Sequence, residues 1–388
     1  MTDPSADPSA LMRAGDRGDG VRAVRERLVA AGELPASAVE DDVFDGTVER
    51  AVRAFQQRRG MLVDGVVGPQ TFRALDGARW LLGDRILLHT PGHLVSGDDV
   101  AALQDRLSSL GYPCGRVDGI LGVETDEALR DFQRGVGLQA DGVAGPKTLR
   151  ALAQLGRAVT GGAPHALREA DRVRSAGPDL RGRLVVLDPG HSQVEPGAVV
   201  GDVREADVTL DLARRIEGRL AALGVQTVLT RGLTGNPTQL ERAELANALG
   251  ADLLLSIHCE ALPSTPQAHG VATFFYGSPE GGSAWSATGE QLASLVQREI
   301  VARTGLLDCR SHPRTWDILR GTRMPAVRLE AGYLSHEADA ARLADPEFRD
   351  TVAEAVVVAV QRVYLSDQDE GATGTLRLAD VLARVRAP

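Results

Sequence analysis

Apolar positions along this chain change period once, and the change divides it. Up to about residue 156 they recur at the spacing of a helix face. Val21, Val24, Leu28 and Ala31 fall on one face, and Val100, Leu103, Leu107 and Leu110 on another. A second helix carries Ala51, Val52 and Phe55, with Ala128, Leu129 and Phe132 in the corresponding place further on. A third opens at Pro69 and again at Pro146, because proline suits a first helical turn where its missing N–H had no partner. Asp64-Gly65 and Asp141-Gly142 supply the turn before it. The recurrence is a duplication. FQQRRGMLVDGVVGPQTFRAL from Phe55 returns as FQRGVGLQADGVAGPKTLRAL from Phe132, and GDGVRAVRERLVAAG from Gly18 as GDDVAALQDRLSSLG from Gly97. Two small three-helix bundles are expected, over 11–80 and 87–156.

Residues 157–182 are polar and punctuated by glycine and proline, which reads as a linker with at most one helical turn. From 183 to 365 short apolar runs alternate with helical stretches. Strands are expected at Leu184–Leu187, Val225–Thr230, Leu253–Ile257, Val271–Tyr276 and Ala326–Leu329, with helices around 206–222, 238–249, 287–303 and 347–364. That alternation predicts an α/β domain, a mixed sheet covered by helices. Residues 366–388 read as a flexible acidic tail ending in a short amphipathic piece with Leu376, Leu378, Val381, Leu382 and Val385.

The net charge of −10 argues against nucleic acid or an anionic membrane as the main partner. Three widely spaced cysteines, Cys114, Cys259 and Cys309, give no disulfide framework and fit a reducing compartment. The N-terminal residues lack a cationic start followed by an apolar run, and no stretch approaches the length of a membrane span. The expectation is a cytoplasmic protein, with the cell wall, reached by an unrecognised route, as the alternative.

The chemistry-bearing residues sit at the ends of the α/β strands. LVVLDPGHS ends a buried strand at Asp188 and brings out His191 at the carboxyl edge, where open α/β sheets build their sites. A surface histidine in a turn would fit that sequence equally well. LLLSIHCEA ends another strand in His258, which packing and a backbone hydrogen bond would also satisfy. Glu205 opens a helix, where an acidic residue routinely complements the helix dipole. MPAVRLEAGYLS places Glu330 after a buried strand, a costly position for a carboxylate without a cation or partner. Two imidazoles and a carboxylate are a sufficient ligand set for zinc, with a further carboxylate left to serve as base.

Three resemblances follow from these motifs and their order. The DG(V/I)xGPxT turn and its flanking helices resemble the peptidoglycan-binding domain 1 family, which implies modules that dock on cell-wall glycan-peptide; such bundles also serve as plain scaffolds. The DPGH strand end, the glutamate opening the first long helix, the SIH strand and PAVRLEAGYLS resemble the zinc-dependent N-acetylmuramoyl-L-alanine amidase family of type 3. Thr230-Arg231, Arg242 and Asn247 are also in register with it. The resemblance implies His191, Glu205 and His258 as ligands of Zn2+ and Glu330 as the catalytic carboxylate. It also implies hydrolysis of the amide between N-acetylmuramic acid and L-alanine in peptidoglycan or muropeptides. Ser192-Gln193 stand where the family commonly has two glycines, and Glu260 where asparagine is common. No cysteine nucleophile is needed, so Cys259 reads as a packing residue. The order of two repeats, amidase-like domain and Thr-containing tail further resembles a group of cytoplasmic actinobacterial regulators of peptidoglycan precursor synthesis. That likeness implies protein partners in cell-wall synthesis and makes Thr373 and Thr375 candidate phosphoacceptors.

Overall fold

A computed structural model describes residues 11–156, 164–175, 177, 179–263, 265–279 and 284–364. Thr373, Thr375 and the rest of the tail lie outside the described residues.

The first bundle is built from α1 (Asp19–Ala30), α2 (Gly46–Arg58) and α3 (Pro69–Ala78), the second from α4 (Asp98–Ser109), α5 (Val123–Gly135) and α6 (Pro146–Gly156). Phe55 and Phe132 are buried at the centres of the two cores. β1 (Leu87–Leu88) and β2 (Val143–Ala144) pair antiparallel across the second bundle. Each Asp-Gly turn is fixed by a buried glutamine. Gln56 donates to Asp64 Oδ1 (2.7 Å) and accepts from Gly65 N (2.9 Å); Gln133 does the same with Asp141 (2.8 Å) and Gly142 (2.9 Å). Gly65 and Gly142 have φ of 74° and 72°, so the turn needs glycine.

The expected linker holds a three-turn helix, α7 (Pro164–Ser175), rather than a single turn. Its Glu169 explains the difference, because it is tied into the neighbouring domain and the helix is held by tertiary contacts.

The α/β domain contains β3 (Leu184–Pro189), the hairpin β4 (Val199–Val200) and β5 (Val203–Arg204), α8 (Glu205–Ala222), β6 (Gln226–Leu229) and α9 (Gln239–Leu249). It continues through β7 (Leu253–Glu260), β8 (Val271–Tyr276), α10 (Ala287–Thr304), β9 (Asp308–Arg314), α11 (Asp317–Arg320), β10 (Ala326–Tyr333), α12 (Glu337–Ala344) and α13 (Pro346–Tyr364). The main sheet runs β6-β3-β7-β10-β8-β9. β6, β3, β7 and β10 are parallel, β8 is antiparallel to β10, and β9 is parallel to β8. β7 and β10 run past the ends expected from sequence, so His258 and Glu330 lie inside strands. β9 was not expected at all: DCRSHPR has a proline and no apolar alternation, which only an edge strand tolerates.

Strand period then sorts the side chains. Leu253, Leu255, Ile257 and Cys259 of β7 and Val327, Leu329 and Ala331 of β10 join the large core beneath α8, α10 and α13. Leu254 and Ala326 face the thinner layer formed by α9 and α11. The repeats dock near the amino end of β10. Arg116 of the second repeat reaches Glu169 Oε1 (2.6 Å), Met324 O (2.7 Å), Thr322 O (3.0 Å) and Ser286 Oγ (3.1 Å). Tyr276 donates to Val117 O (2.8 Å), and Arg320 to Asp118 O (2.6 Å). The first repeat adds the Arg73–Asp317 ion pair (2.6 Å).

Removing one partner of a buried pair leaves the other charge uncompensated, at a cost of about 3–5 kcal/mol. Arg116→Ala is therefore expected to loosen the repeats from the α/β domain. Calorimetry should show a separate, earlier transition and proteolysis should cut within 157–182; an unchanged melting profile would refute this account of the docking.

A candidate metal centre at the carboxyl edge of the sheet

Asp188 closes β3 and is fully buried, yet three groups meet its carboxylate. Arg242 Nη1 (2.7 Å) and Thr230 Oγ1 (2.6 Å) donate to Oδ1, and Ser256 Oγ (2.6 Å) to Oδ2. Burial pushes its pKa up, but the charge of Arg242 and these hydrogen bonds outweigh burial and hold it below the usual value. The same Arg242 donates to Pro189 O (2.8 Å) and His191 O (3.0 Å). Arg231 donates to Pro189 O (2.9 Å), Gly190 O (2.8 Å) and Ala206 O (2.9 Å). The turn after β3 is thus gripped by its carbonyls, and His191 is held at φ 58°, a left-handed conformation that non-glycine residues seldom adopt.

Glu205 is the first residue of α8, and its side chain turns toward the sheet edge. Oε2 lies 3.2 Å from His191 Nε2 and accepts from Ala198 N (3.0 Å). Oε1 lies 3.1 Å from His258 Nδ1 and accepts from Cys259 N (3.0 Å). One donor atom from each of His191, Glu205 and His258 falls within 4.8 Å of the others, close enough to share a metal ion. The dipole role expected for Glu205 is secondary to this convergence.

Protonation suits a cation. Burial lowers the pKa of His258 to about 4, helped by the Arg328 charge and opposed by Glu205. Burial also lowers that of His191, against the raising effect of Glu205. Glu205 is pushed up by burial but held below its ordinary value by the hydrogen bond and charge of His258 and by His191. At neutral pH the site holds two neutral imidazoles and a carboxylate, the forms that ligate. Two glycines make room for it. A Cβ on Gly190 would sit 2.3 Å from the His258 ring, and one on Gly197 would sit 2.4 Å from Glu205 Oε2.

Glu330 lies beside His258 in the β10–β7 register. Arg328 holds its Oε1 through Nε (2.8 Å) and Nη2 (2.7 Å). Its Oε2 is buried without a hydrogen-bond partner among the described residues. Burial raises the carboxyl to about 8; Arg328 pulls it down, while Glu260 and Glu205 push it up. The site lies at the carboxyl end of the central strands, with His191, one-third exposed, as its most accessible ligand residue.

The structure brings all four expected residues together. Sequence reasoning matched Arg231, Arg242 and Asn247 without giving them roles. The arginines clamp the loop, and Asn247 joins α9 to Gly321 O (2.7 Å) and Arg323 N (2.8 Å). Arg328 was missed, although its place two residues before Glu330 on a strand puts it on the same face. Cys259 is packed in the core, as expected.

Comparison with known proteins gives the family of each module. Residues 185–362 match the N-acetylmuramoyl-L-alanine amidase family of type 3, and residues 17–75 and 96–152 each match a peptidoglycan binding domain. The N-acetylmuramoyl-L-alanine amidase CwlM of Mycobacterium tuberculosis is 46% identical over 395 residues, covering 99% of this chain and 97% of that protein. The germination-specific N-acetylmuramoyl-L-alanine amidase of Bacillus subtilis is 30% identical, covering 49% of this chain and 83% of that one. Among solved structures, the amidase AmiC2 of Nostoc punctiforme aligns at 29% identity with a TM-score of 0.43, over 46% of this chain and 96% of that one. With 46% identity and near-complete overlap with one relative, and with its α/β domain matched to the family, the chain belongs to the N-acetylmuramoyl-L-alanine amidase family.

Proposed function

We propose that His191, Glu205 and His258 hold a zinc ion (Zn2+) and that Glu330 moves the proton in hydrolysis of the amide between N-acetylmuramic acid and L-alanine. The observation that carries this reading is the convergence of the three donor atoms beside a buried carboxylate oxygen that has no partner of its own among the described residues. The donor chemistry fits: neutral imidazoles and an ionised carboxylate, in a cavity that Gly190 and Gly197 leave open. When bound, zinc supplies a positive charge that polarises the amide carbonyl and lowers the pKa of water and of Glu330 alike.

The remaining work belongs to the chain. Arg328 fixes Glu330 by Oε1 and leaves Oε2 without a partner among the described residues. Oε2 takes the proton of the attacking water and passes it to the departing alanine nitrogen. The Asp188–Arg242–Arg231 clamp keeps His191 from swinging out as substrate enters. The buried strand floor around His258 limits water to the open side of the site. The two repeats and the amidase match together point to peptidoglycan or its fragments as substrate.

Purified protein is expected to carry about one zinc per chain. Gly197→Ala should cut zinc content sharply while the circular dichroism spectrum stays native; full occupancy in that variant would sink the ligand assignment. Glu330→Gln should keep the metal and lower kcat on muropeptides by on the order of 10²–10⁴. Wild-type-like turnover would remove Glu330 from the mechanism.

A pH effect follows for the metal-free protein. The folded-state pKa of Glu330, about 8, lies above its ordinary 4.5, so the folded state binds the extra proton and stability falls as pH rises between these values. Glu330→Gln removes that loss. Its melting temperature should exceed that of metal-free wild type by a margin that widens from pH 5 to pH 8. A constant or shrinking margin would contradict the assignment of the buried charge.

A further inference from the structure

The face of the sheet that holds Glu330 continues away from the metal centre as a row of side chains, with Trp316 buried in the core beneath it and Phe274 partly exposed. Register places Arg328 of β10 beside Phe274 of β8, and Phe274 beside His312 of β9. The Arg328 guanidinium lies 4.6 Å over the Trp316 ring, and the Trp316 and Phe274 rings are 4.7 Å apart. The Arg314 guanidinium lies 5.4 Å from the Phe274 centroid. Ring and guanidinium contacts therefore run unbroken from Glu330 to Arg314. The first repeat bounds the far end, where Thr315 N donates to Gly60 O (3.2 Å).

Arg314 differs from the other cations on this face. Arg328 is paired with Glu330, and His312 Nε2 is engaged with Cys309 O at 2.7 Å. Arg314 is half-buried, and among the described residues it meets no carboxylate; its hydrogen bond goes to its neighbour's carbonyl, Pro313 O (2.9 Å). Burial lowers its pKa with no acidic group offsetting the effect. A guanidinium that has lost water without gaining a counter-charge favours an incoming anion.

We propose that Arg314, seated over Phe274, binds an anionic group of the substrate, a carboxylate or a phosphate, while the scissile amide lies at Glu330. The inference rests on the hydrolase reading above. Four residues of strand separate the Glu330 row from the Arg314 row, about 13 Å at roughly 3.3 Å per residue. An extended peptide covers that distance in about four residues. The anion has two chemical sources: a carboxylate of the peptide stem, or the diphosphate of a nucleotide-linked muramoyl-peptide. An arginine that merely guards an edge strand against pairing would bind neither.

The test is calorimetric binding to the full chain carrying Glu330→Gln, with and without Arg314→Gln or Arg314→Lys. The ligands are a muramoyl-peptide, the same peptide with its carboxylates amidated, and a nucleotide-linked muramoyl-peptide. Arg314→Gln is expected to weaken the carboxylate ligand about tenfold and leave the amidated one unchanged, with Arg314→Lys retaining most of the affinity. Weakening confined to the nucleotide-linked ligand assigns the phosphate as the anion. Unchanged affinity for all three, or equal loss on the amidated peptide, overturns the proposal. Zinc content and circular dichroism check that each variant is folded. Turnover by the wild-type chain, with and without chelator, tests the hydrolase reading separately. An Arg314 effect without turnover retires that reading alone, and turnover without an Arg314 effect retires the anion site alone.

Discussion

The buried carboxylate of Asp188 is the fixed point on which the site depends. A charge with no exposure to water is tolerable only when cation and hydrogen bonds replace its hydration, and Arg242, Thr230 and Ser256 do so together. Once Arg242 is placed by that pair, the same Nη1 also donates to the Pro189 carbonyl and Nη2 donates to that of His191. Arg231 takes the carbonyl between them. Two guanidiniums thus secure one turn, and the turn can hold His191 in a backbone conformation that would otherwise cost about 1–3 kcal/mol. The chain's own hydrogen bonds thus fix the position of His191 in the donor set.

A second constraint is the period of the strands. Because side chains alternate, the parallel strands send Leu253, Leu255, Ile257 and Leu329 into the thick helical layer. They send Asp188, Ser256, His258, Arg328 and Glu330 to the thinner side. Polar chemistry can accumulate there because α9 and α11 cover less of it. The repeats dock on that same side toward the amino end of β10, through Arg116, Val117 and Asp118. Site and repeats therefore share one face, at opposite ends of the central strands.

Much of this was legible in the chain. The duplication, the helices of the bundles and the strands β3, β7, β8 and β10 announce themselves by period, since each buries a continuous apolar face. The four site residues were legible because each sits beside a turn or strand end in a recognisable motif. What escaped has physical reasons. β9 is an edge strand whose pattern, DCRSHPR, carries no buried stripe, and α7 owes its helix to Glu169 binding a distant domain. The clamp by Arg231 and Arg242 acts on backbone carbonyls, which leave no trace in side-chain pattern. Arg328 was hidden by its neighbours, because a buried arginine within an apolar strand reads as an interruption until its partner is known.

The charge balance of the cavity gives these details one direction. Glu205 and Glu330 face each other across neutral histidines with Arg328 as the near cation, and Glu260 stands at the rim where the family commonly has asparagine. An amide there would be indifferent to charge; a carboxylate repels anions from that side and raises the pKa of Glu330 further. A dication held by the three donors, as proposed, would add positive charge at the centre and leave the Glu260 side negative. For a substrate bearing acidic groups, the proposed Arg314 site over Phe274 would supply the opposite charge. On the proposed reading, repulsion at Glu260 and attraction at Arg314, which meets no carboxylate among the described residues, would orient the same molecule from two ends.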